Sequence, residues 1–424
     1  MEPPGFLILV SAGISLLCNL IPFNRICEPN QATRCGLFSP PRKHLPMSAI
    51  QMLRIDGDAE ATGRAHGAAF RAEIQSLTEE RMRLCRDQFW TGGGSAVDPA
   101  ALAAACWEHQ QLYDDLTTAE LEGIADAAGV AARDLLVTGG FTDFVDALRG
   151  EASGDSNPQP INDPGQCTAV LVAAESAADG QPLLAQTWDM HSSATPYVRV
   201  LDMRATDQPS AVSFTVTGCP AMIGINEHGL AVGINNLVTT DGRPGVMWTT
   251  IVRRLLRARD ANEALDLLRE APVAGAHHYL LLDAHSTGYS VERSPSRIAV
   301  RTLKTTLAHT NHCLDTDLIA IEPARGDAPI HSTRGRLRMA EDWLAAHPSD
   351  FSRQGLWRLL NRFDDADLLG SICHGPLPGY DVETGGAVVI SPRDRAMDAI
   401  CGQGNVRNDD DRTAPQTFNV ACRT

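Results

Sequence analysis

Residues 150–166, GEASGDSNPQPINDPGQ, limit what this chain can become more than any other segment. The tract is rich in Gly, Pro, Asn, Asp and Ser and has no apolar period, so it reads as a long loop. The hydrophobic period differs on its two sides. Before it, Ala61, Ala65, Ala69, Phe70, Ile74 and Leu77 recur at helical spacing within 58–90, and 98–116 and 116–136 continue as helices interrupted by Gly129. After it come alternating or apolar runs at 168–173, 183–190, 198–205, 211–217 and 222–237, the last folded back on the turn Asn226-Glu227-His228-Gly229. Helical spacing returns at 247–257 and 261–270, strands at 278–283, 288–292, 298–303 and 307–312, helices at 334–346 and 353–362, and a β pair at 387–390 and 396–400. This order predicts an α+β fold in which two antiparallel sheets stack face to face under helices, a four-layer α-β-β-α sandwich. No internal repeat competes with it.

The 424 residues suffice for one large layered domain. A net charge of −16, from 36 Lys+Arg against 52 Asp+Glu, argues against a nucleic-acid partner, which needs a basic stripe. Nearly all the cations are Arg, with only Lys43 and Lys304 as lysines. Eleven cysteines without a CxxC pair signal neither a zinc knuckle nor a disulfide framework and fit a cytoplasmic location. Residues 6–23 are apolar, which keeps secretion open, but Met1–Gly5 carries Glu2 and no Lys or Arg, so a signal peptide or stable membrane association is not expected. A natural beginning at Met47 divides the chain into an extension, 1–46, outside the fold, a helical segment, 47–166, and a β-rich segment, 167–424, that share one domain. The pairs His277-His278 and His309/His312 do not suit a shared metal, because each pair faces opposite sides of a strand; no metal and no cofactor is expected. The cluster Arg253, Arg254, Arg257 and Arg259 reads as a solvated helix face, and Cys373-His374 as structural.

Cys167 stands where the polar tract gives way to an apolar strand. The loop leaves the Gln166–Cys167 peptide bond accessible while the strand fixes the thiol. Cleavage of that bond would give Cys167 a free α-amino group of pKa about 7.7–8.0, a usable base at neutral pH beside its own nucleophile.

Several blocks in order carry a family resemblance: IDGDAEATGRAHGAAFRAEI with its Gly-x-x-His-Gly, QCTAVLV, AQTWDM (185–190), GINEHGLAVGINNL (224–237), HHYLLLDA (277–284), AHTNH (308–312) and SICHG (371–375). Over about 47–404 the chain resembles the acyl-coenzyme A:6-aminopenicillanate acyltransferases, a family of N-terminal-nucleophile hydrolases. The resemblance implies Cys167 as nucleophile, Gln166–Cys167 as the self-cleavage site, Asp189 as a carboxylate near the new amino terminus, and Asn235, with Asn236 as fallback, as oxyanion donor. It also implies an arginine on the helix after Thr-Asn-His; Arg334, Arg336 and Arg338 compete, with Arg334 taken as the candidate. The segment 137–150 lacks the family's Glu-bearing pattern, leaving Asp143 or Asp146 as stand-ins.

The resulting expectation is a self-processing cysteine amidohydrolase or acyltransferase, an α/β heterodimer after cleavage, acting on a small-molecule amide or an acyl donor such as acyl-CoA. The alternatives are a conventional cysteine peptidase pairing Cys167 or Cys373 with a separate His, and a catalytically inactive binding homologue.

Overall fold

The structure, a computed structural model, describes residues 49–86, 97–152, 165–348, 351–376, 381–403 and 414–421. The expected extension 1–46 and residues 153–164 of the polar tract lie outside them.

Fourteen strands among the described residues form two sheets. The first runs in the order β1 (Met52–Gly57), β4 (Val198–Ala205), β5 (Ala211–Val216), β6 (Ile223–Asn226), β7 (Ala231–Asn236), β8 (His277–Leu282), β9 (Gly288–Arg293), β10 (Ile298–Thr302). The second runs β11 (Thr306–His309), β2 (Gly165–Val172), β3 (Leu183–His191), β12 (Val382–Ser391), β13 (Ala396–Cys401), β14 (Gln416–Asn419). All neighbours are antiparallel except β1 and β4, which are parallel, so the expectation of two wholly antiparallel sheets needs this one correction. A strand that arrives before the helical segment can join the edge in either direction.

Period-2 alternation sorts the side chains of β2 and β3. Cys167, Ala169 and Leu171 enter the core between the sheets with Leu184, Trp188 and Met190, whereas Val170, Val172, Leu183 and Ala185 turn outward. The sheets meet where Trp188 packs edge-on against Phe214, ring centroids 6.2 Å apart. Gln186 of β3 clips them together: its Oε1 accepts from Ile234 N at 2.9 Å and its Nε2 donates to Ile234 O. Ile234 needs this partner because β6 pairs with β7 only as far as Val232.

The outward face of the second sheet is covered by α10 (Asp327–Ala346) and α11 (Arg353–Leu360), through Ala340, Trp343, Leu344, Leu356 and Leu359. α9 (Thr316–Ile319) is a single turn before them. On the first sheet lie α7 (Trp248–Leu255) and α8 (Ala261–Glu270), and the segment before Cys167 forms α1 (Ala59–Ala69), α2 (Arg71–Leu84), α3 (Pro99–Tyr113), α4 (Asp115–Ala128), α5 (Ala132–Gly139) and α6 (Phe141–Ala152). The helix expected over 58–90 is divided at Phe70. Gly63 and Gly67 of the Gly-x-x-His-Gly block let α1 lie backbone to backbone on α4: a Cβ at Gly63 would come within 2.1 Å of Glu120 O, and one at Gly67 within 2.4 Å of Ile124 O. His66 between them accepts from Gly218 N at 3.0 Å, and burial pushes it down to about 4. That block is therefore a packing device.

The basic cluster departs from expectation. Arg253 is fully buried on Glu120 (Nε to Oε2 2.8 Å), Arg254 stacks over Tyr113, and Arg257 pairs with Asp114; only Arg259 is exposed. These arginines bind α7 and the turn after it to α3 and α4, because acidic partners from the helical layer meet them there.

Candidate active site

Cys167 is buried near the start of β2, and the peptide groups on both sides of it are tied to neighbouring elements. Its N–H donates to Asn311 Oδ1 at 2.6 Å, and Asn311 Nδ2 in turn donates to Asn236 O at 3.0 Å. Arg336 approaches from α10: Nη1 donates to Cys167 O at 2.5 Å and to Thr168 Oγ1 at 3.0 Å, Nη2 to Asn311 Oδ1 at 2.9 Å, and Nε to Ser332 Oγ at 3.2 Å. Ser332 Oγ donates to Gln166 Oε1 at 2.7 Å. The bond between Gln166 and Cys167 is thus clamped by one helix and one loop.

Helix phase decides among the arginines. Ser332, Arg336 and Ala340, spaced i, i+4, i+8, turn toward the sheet and are buried. Arg334 is exposed, as is Arg338. Of the three competing arginines the structure brings Arg336 to Cys167, whereas Arg334, the candidate carried from sequence, lies elsewhere: two residues along a helix is roughly half a turn, which aims Arg334 away from the strand.

Asp189 lies directly across the ladder from Gln166, on the outward face of β3 beside Thr187. Burial raises its pKa to about 7, against the pull of the Arg336 guanidinium and of the Thr384 and Thr187 hydroxyls. Its side chain and that of Cys167 occupy opposite faces of the sheet, so the carboxyl group does not share a face with the thiol. Asn235 shares the inward face of β7 with Gly233, whose position abuts Gln186 across the core. Asn235 Oδ1 lies 2.8 Å from His278 Nδ1, while its buried Nδ2 has no partner among the described residues. Asn236 turns to the other face and contributes its carbonyl to Asn311.

The structure adds Asn311, Ser332 and His278, to which the sequence reading gave no role. Asn311 sat inside the recognised Thr-Asn-His block, and that was its only signal. Two histidines of these blocks lie against carboxylates. His277 faces Asp143, Nδ1 to Oδ1 3.0 Å, while His309 Nε2 meets Glu292 Oε1 at 2.8 Å. Asp143 also accepts from Trp248 N at 2.6 Å, and Asp146 pairs with Arg149, so both stand-ins for the missing Glu are engaged inside the helical layer. Cys373 and His374 are buried, and His374 Nδ1 lies against Gly375 O at 3.2 Å. No group of three His, Cys, Asp or Glu suited to a metal occurs among the described residues, and no helix there is long and apolar enough to cross a membrane.

A family model described as acyl-coenzyme A:6-aminopenicillanic acid acyl-transferase matches residues 176–368, a span that begins after Cys167 and includes Asp189, Asn235, Asn311 and Arg336. No curated protein matches the chain. Among solved structures it is similar to a mutant of the conjugated bile acid hydrolase from Clostridium perfringens (TM-score 0.39, 10% identity, covering 61% of this chain and 99% of that one). It is also similar to penicillin V acylase from Agrobacterium tumefaciens (TM-score 0.34, 12% identity, 55% and 82%). The resemblance to the acyl-coenzyme A:6-aminopenicillanate acyltransferase family, read from the sequence blocks, is borne out over the residues that the family model covers.

Proposed function

We propose that this protein is a self-processing cysteine amidohydrolase or acyltransferase that acts on small-molecule amides. Hydrolysis is the favoured outcome because water is always at hand as acceptor. The observation that carries the reading is the hydrogen bond from Cys167 N to Asn311 Oδ1 at 2.6 Å. The nitrogen held there is the one that becomes an amine if the preceding bond breaks, and a neutral amide oxygen is a suitable acceptor for that amine.

In the precursor, Sγ of Cys167 adds to the Gln166 carbonyl carbon, the C–N bond breaks, and the proton lost by the thiol ends on the departing nitrogen. Water then hydrolyses the thioester, giving a chain ending at Gln166 and one beginning at Cys167. In the mature enzyme the same thiol loses its proton to its own α-amine, adds to a substrate amide carbonyl, and forms an oxyanion for which Asn235 Nδ2 is the unspent donor. Collapse expels the amine, which takes the proton, and leaves an acyl-Cys167 thioester; water or a second amine removes the acyl group. Arg336 holds the Cys167 carbonyl and the Asn311 oxygen throughout, and Asp189 faces the residue that departs. The family description supports an acyl group as cargo, with acyl-CoA a candidate donor. The segments 47–166 and 167–424 are proposed to remain packed as a heterodimer.

Intact-mass measurement and a denaturing gel test this directly. Purified wild-type protein is expected as two fragments separated before Cys167, and Cys167→Ala as one inactive chain. A single uncut, fully active wild-type chain would overturn self-processing; activity retained by Cys167→Ala would overturn the nucleophile.

A further inference from the structure

The strand register places His278 directly across the ladder from Asn235, on the same inward face. Its Nδ1 lies 2.8 Å from Asn235 Oδ1 and its Nε2 2.7 Å from Ser290 Oγ, so all its polar atoms are engaged in a fully buried site. Over its ring, centroids 3.6 Å apart and tilted by 11°, lies His309 of the second sheet. His309 Nε2 meets Glu292 Oε1 at 2.8 Å, and Glu292 also accepts from the backbone of Leu314 and Asp315, at 2.7 and 3.1 Å. Burial, with the neighbouring His309, holds His278 well below the usual histidine range.

A primary amide is nearly symmetric, and either end can turn toward a reacting group. An oxyanion requires the NH₂ end; the carbonyl end would repel it. From this geometry we propose that His278 is a positioning residue that selects the amide orientation of Asn235, by donating Nδ1–H to Oδ1 and so turning Nδ2 toward the oxyanion. Ser290 supports that choice, since its hydroxyl can donate to Nε2 and leave the proton on Nδ1. The Glu292–His309 pair supports it from the other sheet, by fixing the ring plane against which His278 stacks. The proposal rests on the reading of Cys167 as an acyl-transferring nucleophile and of Asn235 as its oxyanion donor.

The test follows acylation of the processed protein by para-nitrophenyl acetate, with Cys167→Ala as blank and the adduct on Cys167 verified by mass. Asn places its amide nitrogen near the Nδ1 position of a histidine, whereas Gln reaches toward Nε2. His278→Asn is therefore expected within about 5-fold of wild type, while His278→Gln and His278→Ala should acylate about 10- to 100-fold more slowly at nearly unchanged KM, short of the roughly 10²- to 10³-fold seen when an oxyanion donor is deleted outright. In an Asn235→Ala background the His278 substitutions should have no further effect. Equal losses in His278→Asn and His278→Gln, or losses that multiply with Asn235→Ala, would overturn the proposal. An unchanged rate in Asn235→Ala alone would instead overturn the reading of Asn235 as the oxyanion donor. Should the alanine variant fail to fold, ¹⁵N NMR of the wild-type imidazole decides independently: Nδ1–H is expected, and Nε2–H would mean that the Asn235 oxygen faces the site. Failure of the reading of Cys167 as nucleophile looks different, because wild type would then show no adduct on Cys167.

Discussion

Among the described residues Arg253 and Arg336 are the two largest side chains wholly withdrawn from solvent, and they are spent differently. Arg253, on α7, donates to the carboxylate of Glu120 on α4, so its charge is met by an opposite one and the bond ties two helices. Arg336, on α10, donates hydrogen bonds to oxygens of Cys167, Thr168, Asn311 and Ser332. Its field reaches the groups around it and pulls Asp189 downward against burial. A deeply buried arginine therefore does not by itself mark a site. What sets Arg336 apart is that it donates to the backbone carbonyl of Cys167, next to the bond proposed to break.

The two arginines should part most visibly in stability. Arg253→Met leaves Glu120 buried without its cation, and we expect a loss of about 3–5 kcal/mol in urea unfolding, measured in the uncut Cys167→Ala chain. Adding Glu120→Leu should recover most of that loss. Self-cleavage of Arg253→Met below its unfolding midpoint should proceed at the wild-type rate; a cleavage defect there would mean that this pair also serves the site. Arg336→Met should reverse the pattern: cleavage slowed about 100-fold in a gel time course, equivalent to about 2.7 kcal/mol at the barrier, with stability reduced by less than in Arg253→Met. Arg336→Met that cleaves normally would reduce Arg336 to a second structural arginine.

Neither role could be separated from the other in the sequence. The run Arg253, Arg254, Arg257, Arg259 looks solvated because its acidic partners, Asp114 and Glu120, stand more than a hundred residues earlier. Arg334, Arg336 and Arg338 differ only in helix phase, which depends on where α10 begins, and it begins at Asp327, before the expected start at 334. The α-to-β switch at the polar tract was legible because hydrophobic period is a local property. So was the place of Cys167 near the start of a strand. Asn311 and His278 were not, since each acquires meaning from a partner on another strand. The alternation that set the metal reading aside places His277 and His278 on opposite faces, yet it could not foresee His278 stacked on His309 across the two sheets.

The smallest expected effect is also the most specific to Arg336, because it reads the field of that cation at Asp189. In the uncut Cys167→Ala chain, Asp189 keeps its proton up to about pH 7, whereas an unfolded aspartic acid loses it near pH 4. The folded state thus binds the extra proton between these values, and by linkage the stability contributed by this group is full below about pH 4 and falls as pH rises toward 7. Asp189→Asn removes the titration, so the difference between the two stability curves should open across that window. Local relaxation softens the full shift, and we expect about 1–2 kcal/mol of slope from this one carboxyl. With Arg336→Met added, the cation that favours the ionised carboxylate is gone, so the window should extend above pH 7. The same pH series with Arg253→Met should leave it in place. Urea unfolding at pH 4, 5.5, 7 and 8.5 would measure all three, and an Asp189 window that ignores Arg336 would show that burial alone governs this carboxyl.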